Sequence, residues 1–126
     1  MKRTRLLSIA ILAFSGLLAA PGFAQNPNTA GAGPGNVDPN HPRVNEVNAR
    51  EQNQQNRIAN GVKNGSLTPG ETARLERQQQ HIVNQEKKDM AANNGHLTKA
   101  EQNKLNREQN RASKNIYDKK HNAKVQ

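Results

Sequence analysis

The sequence predicts an all-α protein. Three observations carry that reading. From Arg43 onward the only proline is Pro69. Apolar residues beyond that point recur at helical spacing. An element with helix-stop and helix-start chemistry occurs twice, 30 residues apart. The predicted helices cover about 43–63, 69–92 and 99–122, arranged as an open helical hairpin or bundle.

The doubled element reads Asn64-Gly65-Ser66-Leu67-Thr68-Pro69-Gly70-Glu71 and Asn94-Gly95-His96-Leu97-Thr98-Lys99-Ala100-Glu101. Leu75, Arg77 and Gln79 recur as Leu105, Arg107 and Gln109. Self-similarity at a fixed period marks a repeated supersecondary unit. Gly65 and Gly95 suit the left-handed turn that closes a helix, because glycine has no Cβ to clash there. Leu67 and Leu97 are placed to act as hydrophobic staples. Thr68 and Thr98 serve as N-caps, and Glu71 and Glu101 complete capping boxes. Pro69 suits a first helical turn.

Each helix carries one narrow apolar stripe. The first has Val44, Val47, Ile58 and Val62, with Glu51 and Gln54 between them. The second has Leu75, Ile82, Val83 and Met90, interrupted by Gln79 and Glu86. The third has Leu105, Ala112 and Ile116, interrupted by Gln109. Short loops predict antiparallel neighbours with glutamines in the seam. Polar seam residues weaken packing and can set register.

The N-terminus reads as a secretory signal peptide over residues 1–24. Lys2, Arg3 and Arg5 precede an apolar run from Leu6 to Ala20, and Gly22-Phe23-Ala24 supplies small residues at the cleavage site. The run is shorter than the roughly 20 apolar residues of a spanning helix. Removing 24 of the 126 residues leaves 102, with 16 basic residues against 10 acidic. Tyr117 is then the one aromatic. Residues 25–42 are rich in Pro, Gly and Asn and are expected to form a flexible, disordered tether. The helical domain then spans 43–126. Its apolar residues are few, so the chain is expected to be marginally stable, elongated, or completed by a partner or by a second copy in a homodimer.

Composition excludes several classes. There is no cysteine, hence no disulfide, thiolate metal site or thiol chemistry. His41, His81, His96 and His121 have no metal-ligand spacing on one helix. Ser66 and Ser113 stand in no triad arrangement, and no cofactor motif is present. The expectation is a non-enzyme. Charge concentrates in the third helix, where Lys104, Arg107, Arg111, Lys114, Lys119 and Lys120 define a candidate basic surface for acidic protein clients or anionic envelope components. Nucleic-acid recognition is not expected, since stacking aromatics are absent.

Two resemblances follow from these residues. The repeat resembles the second half of an EF-hand calcium loop, with Asn64, Gly65, Leu67, Thr68 and Glu71 on its fifth, sixth, eighth, ninth and twelfth places. This implies Asn60, Asn64 and Glu71 as calcium candidates. The first and third places hold Met90 and Ala92 in the second copy, and Val62 stands third in the first copy. Those side chains offer no oxygen, and capping boxes explain the same residues without a metal. Leu67-Thr68-Pro69-Gly70-Glu71 and Leu97-Thr98-Lys99-Ala100-Glu101 also resemble the L-T-x-x-Q motif of the Spy/CpxP periplasmic stress proteins, with glutamate in place of glutamine. That resemblance implies a small exported helical dimer that holds unfolded client proteins. More broadly, the chain resembles small exported bacterial helical proteins of unassigned function. The expected location is periplasmic or secreted.

Overall fold

Three helices form, and the second and third begin where their caps place them. The computed structural model describes residues 27–124, with α1 at Pro42–Lys63, α2 at Pro69–Ala92 and α3 at Lys99–Lys120. The signal-peptide reading lies outside the described residues. All-α architecture is confirmed, with no strand among the described residues. No helix among them is long and apolar enough to cross a membrane. The third helix stops two residues before the expected 122. His121 caps it, and Asn122 turns back to donate to Glu71 Oε1 at 2.5 Å.

Both capping boxes form. Thr68 Oγ1 accepts from the Glu71 amide at 3.3 Å while the Thr68 amide donates to Glu71 Oε2 at 3.0 Å. Thr98 and Glu101 repeat the exchange at 3.2 and 2.9 Å. Gly65 and Gly95 take the left-handed conformation at φ 77° and 87°. The Gly95 amide caps Met90 O at 2.8 Å. The leucines do something other than staple. The fourth helical positions hold polar Thr72 and Gln102, so Leu67 packs instead with Ile58, Leu75 and Ile116. Leu97 joins Val44, Val47, Met90 and Leu105.

Inter-helix hydrogen bonds fix the topology. Gln54 meets Gln79 and Gln55 meets Glu76, so α1 and α2 run antiparallel. Gln78 meets Asn115 and Glu71 meets Asn122, so α2 and α3 do too. Arg50 reaches Asn106 and Arg57 reaches Ser113, a constant offset that makes α1 and α3 parallel. Two apolar clusters result. One gathers Ile58, Leu67, Leu75 and Ile116, and the other gathers Ala32, Val44, Val47, Ile82, Met90, Leu97, Leu105 and Ala112.

Ala32, from the segment expected as a tether, belongs to that second cluster. A short 3-10 turn at Pro27–Thr29 leads into a strap, residues 30–41, that is laid against the bundle. Asn48 of α1 clasps it. Asn48 Oδ1 accepts from the Gly33 amide at 2.9 Å, Asn48 Nδ2 donates to Gly31 O at 2.7 Å and Asn36 O at 3.0 Å, and Asn48 O accepts from the Gly35 amide at 3.1 Å. Asn45 holds Asp38 by both its amide and its carbonyl. A segment with little apolar surface docks because helix asparagines satisfy its backbone.

Two helical glycines make opposite predictions. Gly61 is buried, and an added Cβ would stand 2.6 Å from Leu67 Cδ1. Gly70 is exposed, with nothing within 4 Å. Alanine is the better helix former by about 1 kcal/mol. Gly70→Ala should therefore raise unfolding free energy by up to about 1 kcal/mol, while Gly61→Ala should lower it by roughly 1–3 kcal/mol through overpacking. Urea unfolding of both variants checks this.

Candidate functional site: a basic outer face above a buried polar layer

The basic residues of α3 divide into two groups. Lys104, Arg107, Arg111 and Lys114 are exposed and stand at spacings of three, four and three, which puts them on one helical face. That face is opposite the buried Leu105, Gln109, Ala112 and Ile116. The stripe spans roughly 15 Å. Lys119 and Lys120 are half-buried and leave it. Lys120 turns toward α1 and donates to Arg57 O at 3.1 Å.

A matching stripe on α2 is absent from the sequence reading above. Arg74, Arg77 and His81 occupy the same repeat positions as Lys104, Arg107 and Arg111, and Lys88 continues the row. All four are exposed. The middle helix reads as neutral because its acids balance its bases, but those acids are spent elsewhere. Glu71 caps, Glu76 is half-buried and accepts from Gln55 at 3.2 Å, and Glu86 is in the core. The 30-residue period, applied to charges as well as to caps, would have found the stripe. The ion pairs among the described residues are Lys114–Asp118 at 2.6 Å and His41–Asp38 at 3.0 Å. Within the stripes the one ion-paired base is Lys114, so most of their positive charge is not compensated by a direct ion pair. His81 and Arg111 meet Gln78, Ile82 and Glu108 in a shallow cleft between α2 and α3.

The capping residues are engaged in structural bonds. Hydrogen bonding from the Thr68 backbone, then from Asn122, holds the Glu71 carboxyl below its ordinary range. For Glu101, burial pushes upward, but bonds from the Thr98 backbone and Asn93 outweigh it and the net shift is down. The calcium candidates are not assembled. Asn60 lies within α1, Asn64 Oδ1 accepts from the Ser66 amide at 3.0 Å, and Glu71 spends its oxygens on Thr68 and Asn122. No group of three His, Cys, Asp or Glu able to hold a metal occurs among the described residues. The fold does bring His41 and His96 together, with ring centroids 4.4 Å apart, a pairing that no spacing in the sequence marks.

Beneath the outer faces lies a polar layer. Gln79 Nε2 donates to Gln54 Oε1 at 2.8 Å, Gln54 Nε2 to Gln109 O at 2.8 Å, and Gln109 Nε2 to Val47 O at 3.0 Å. One glutamine from each helix thus ties the bundle together. Glu51 stands on α1 between Val47 and Gln54, wholly buried, with neither carboxyl oxygen hydrogen-bonded. Glu86 of α2 is also wholly buried. Its Oε2 accepts from the strap's Gly33 amide at 3.2 Å, and its Oε1 has no partner. Burial pushes Glu51 up to about 9, helped by the Glu86 charge and opposed by Lys87. Burial likewise pushes Glu86 up to about 8 against the Gly33 bond and Lys87.

Comparison with known protein families, with curated proteins and with solved structures found no match.

The caps make a direct prediction. Thr68→Ala and Thr98→Ala should each cost about 1 kcal/mol. Because Glu71 and Glu101 are held down, their contribution is complete above the ordinary carboxylate value of 4.5 and disappears as pH falls through their folded values. Thermal melts of the two variants beside the parent chain, from pH 6 to pH 3, check both the cost and its loss in acid.

Proposed function

We propose that this protein is an exported, non-catalytic helical binding protein that attaches to an anionic surface of the cell envelope. The observation that carries the reading is the doubled stripe of exposed, almost unpaired basic side chains on α2 and α3. Export rests on the charged, apolar and small-residue order of the first 24 residues. A basic face is drawn to anionic lipid headgroups or polymers by charge, and its grip weakens as salt screens it.

The covered apolar stripes favour a charge-held partner over a grease-held one. Among the described residues, Val37 and Tyr117 are the exposed large hydrophobics. A client-holding role of the Spy/CpxP kind would therefore rest on the same basic face, with acidic segments of the client as its ligand. The absence of an exposed aromatic or aliphatic patch among the described residues also favours lying on a membrane surface over inserting into it.

The test is sedimentation with phosphatidylglycerol vesicles across a salt series. Each Lys or Arg contributes about 1 kcal/mol near an anionic surface. Replacing Lys104, Arg107, Arg111 and Lys114 with Gln should weaken binding by roughly a thousandfold. Binding should also fade as salt rises. No binding at low salt, or binding untouched by the four substitutions, contradicts the reading.

A further inference from the structure

The buried polar layer has a deficit of donors. Each amide nitrogen of Gln54, Gln79 and Gln109 is used on an oxygen. Those bonds also fix which end of each amide is the carbonyl. Five buried oxygens are left with no donor: both of Glu51, Oε1 of Glu86, Oε1 of Gln79 and Oε1 of Gln109. Gln109 and Gln79 are anchored at Val47 and Gln54, which bracket Glu51 along α1, so their unmet carbonyls belong to the layer around that carboxyl. A buried acceptor without a donor carries its full desolvation cost, and an ionised buried carboxylate carries far more.

We infer that Glu51 and Glu86 form a buried proton-binding site that couples docking of the strap to pH. With a proton on each, the two carboxyls become O–H donors and can supply the carbonyls that lack them. Repulsion between them vanishes, and Glu86 Oε2 still accepts the Gly33 amide. When pH rises, each carboxyl gives its proton to solvent, and two negative charges face each other in the core. Glu86 lies directly beneath the strap, so hydrating its charge requires the strap to lift.

Few other charged groups face the pair. Lys87 on α2 acts on both carboxyls and favours their ionisation. The α3 side presents uncharged Leu105, Gln109 and Ala112, with Glu108 half-buried in the neighbouring cleft. The strap contributes the Gly33 backbone. Its Asp38 carboxylate and His41 ring lie 3.0 Å apart, against each other. Glu71 and Glu101 titrate on the acid side and stay out of the range tested.

The sign follows from the shifts. Both groups hold protons more tightly in the folded chain, so stability is greatest near the unfolded value of 4.5 and falls as pH climbs toward about 8 to 9. Potentiometric titration of the native and urea-unfolded protein reads this without any variant. The folded chain should hold about two more protons than the unfolded chain at pH 6 to 7. Thermal midpoints should fall steadily from pH 5 to pH 9. Glu51→Gln and Glu86→Gln, which supply N–H donors without titrating, should each remove about one of those protons and flatten the profile. The Ala32 methyl resonance should leave its buried position at pH 9 in the parent chain and keep it in Glu86→Gln. A proton difference near zero, or a midpoint indifferent to pH, overturns the inference. So does stabilisation at pH 8 by millimolar magnesium or calcium that both Gln variants abolish, because a metal ion would then supply the missing positive charge.

Discussion

The bundle depends on three glutamines that must meet. Gln79, Gln54 and Gln109 come from α2, α1 and α3, and their chain of bonds ends on main-chain oxygens of α3 and α1. Sliding any helix by one turn would strand buried amides without partners, at roughly 1–3 kcal/mol each. The apolar stripes alone are too narrow to impose such precision. Along α1 and α2 the glutamines stand between the two apolar clusters, so each helix is located by a polar bond with grease on either side. Register is set by what cannot be left unpaired.

That choice has consequences at the surface. Glu51 and Glu86 go into the core, and Glu71 and Glu101 go to the caps. Glu76 pairs with Gln55, and Glu46 accepts from Gln102. The acids are thereby drawn inward or into structural duty, and the bases are left outside. The outer faces of α2 and α3 are more basic than composition suggests. The same economy that builds a core from few apolar residues also exposes the face proposed to bind.

Legibility in the sequence tracked the range of the interaction. The capping boxes at Thr68 and Thr98 were readable because cap and partner lie three residues apart. Helix bounds followed from them almost to the residue. Glutamines in the seam were visible as interruptions of the stripes, but their partners were not, since hydrogen-bond pairing across helices leaves no periodic mark. The docking of residues 30–41 was not legible. It uses backbone amides, small Ala32 and Gly33, and acceptors on Asn45, Asn48 and Glu86, and of these only Ala32 is apolar, by a single methyl. The α2 basic stripe was hidden by summing charge over the helix, which erases the face on which each charge stands.

The central claim is that the glutamine chain couples the helices energetically. A double-mutant cycle on Gln54→Met and Gln79→Met, read from urea unfolding, tests it most directly. The shapes are nearly conserved, and the bond to Gln109 O that Gln54→Met also removes is lost in both backgrounds and cancels in the cycle. The account predicts that the two losses are non-additive, with a coupling of about 1–3 kcal/mol, because Gln54→Met leaves the Gln79 amide nitrogen, and Gln79→Met the Gln54 carbonyl, buried and unmet. Additive losses would mean that the two glutamines are independent, and that register comes from the apolar stripes after all.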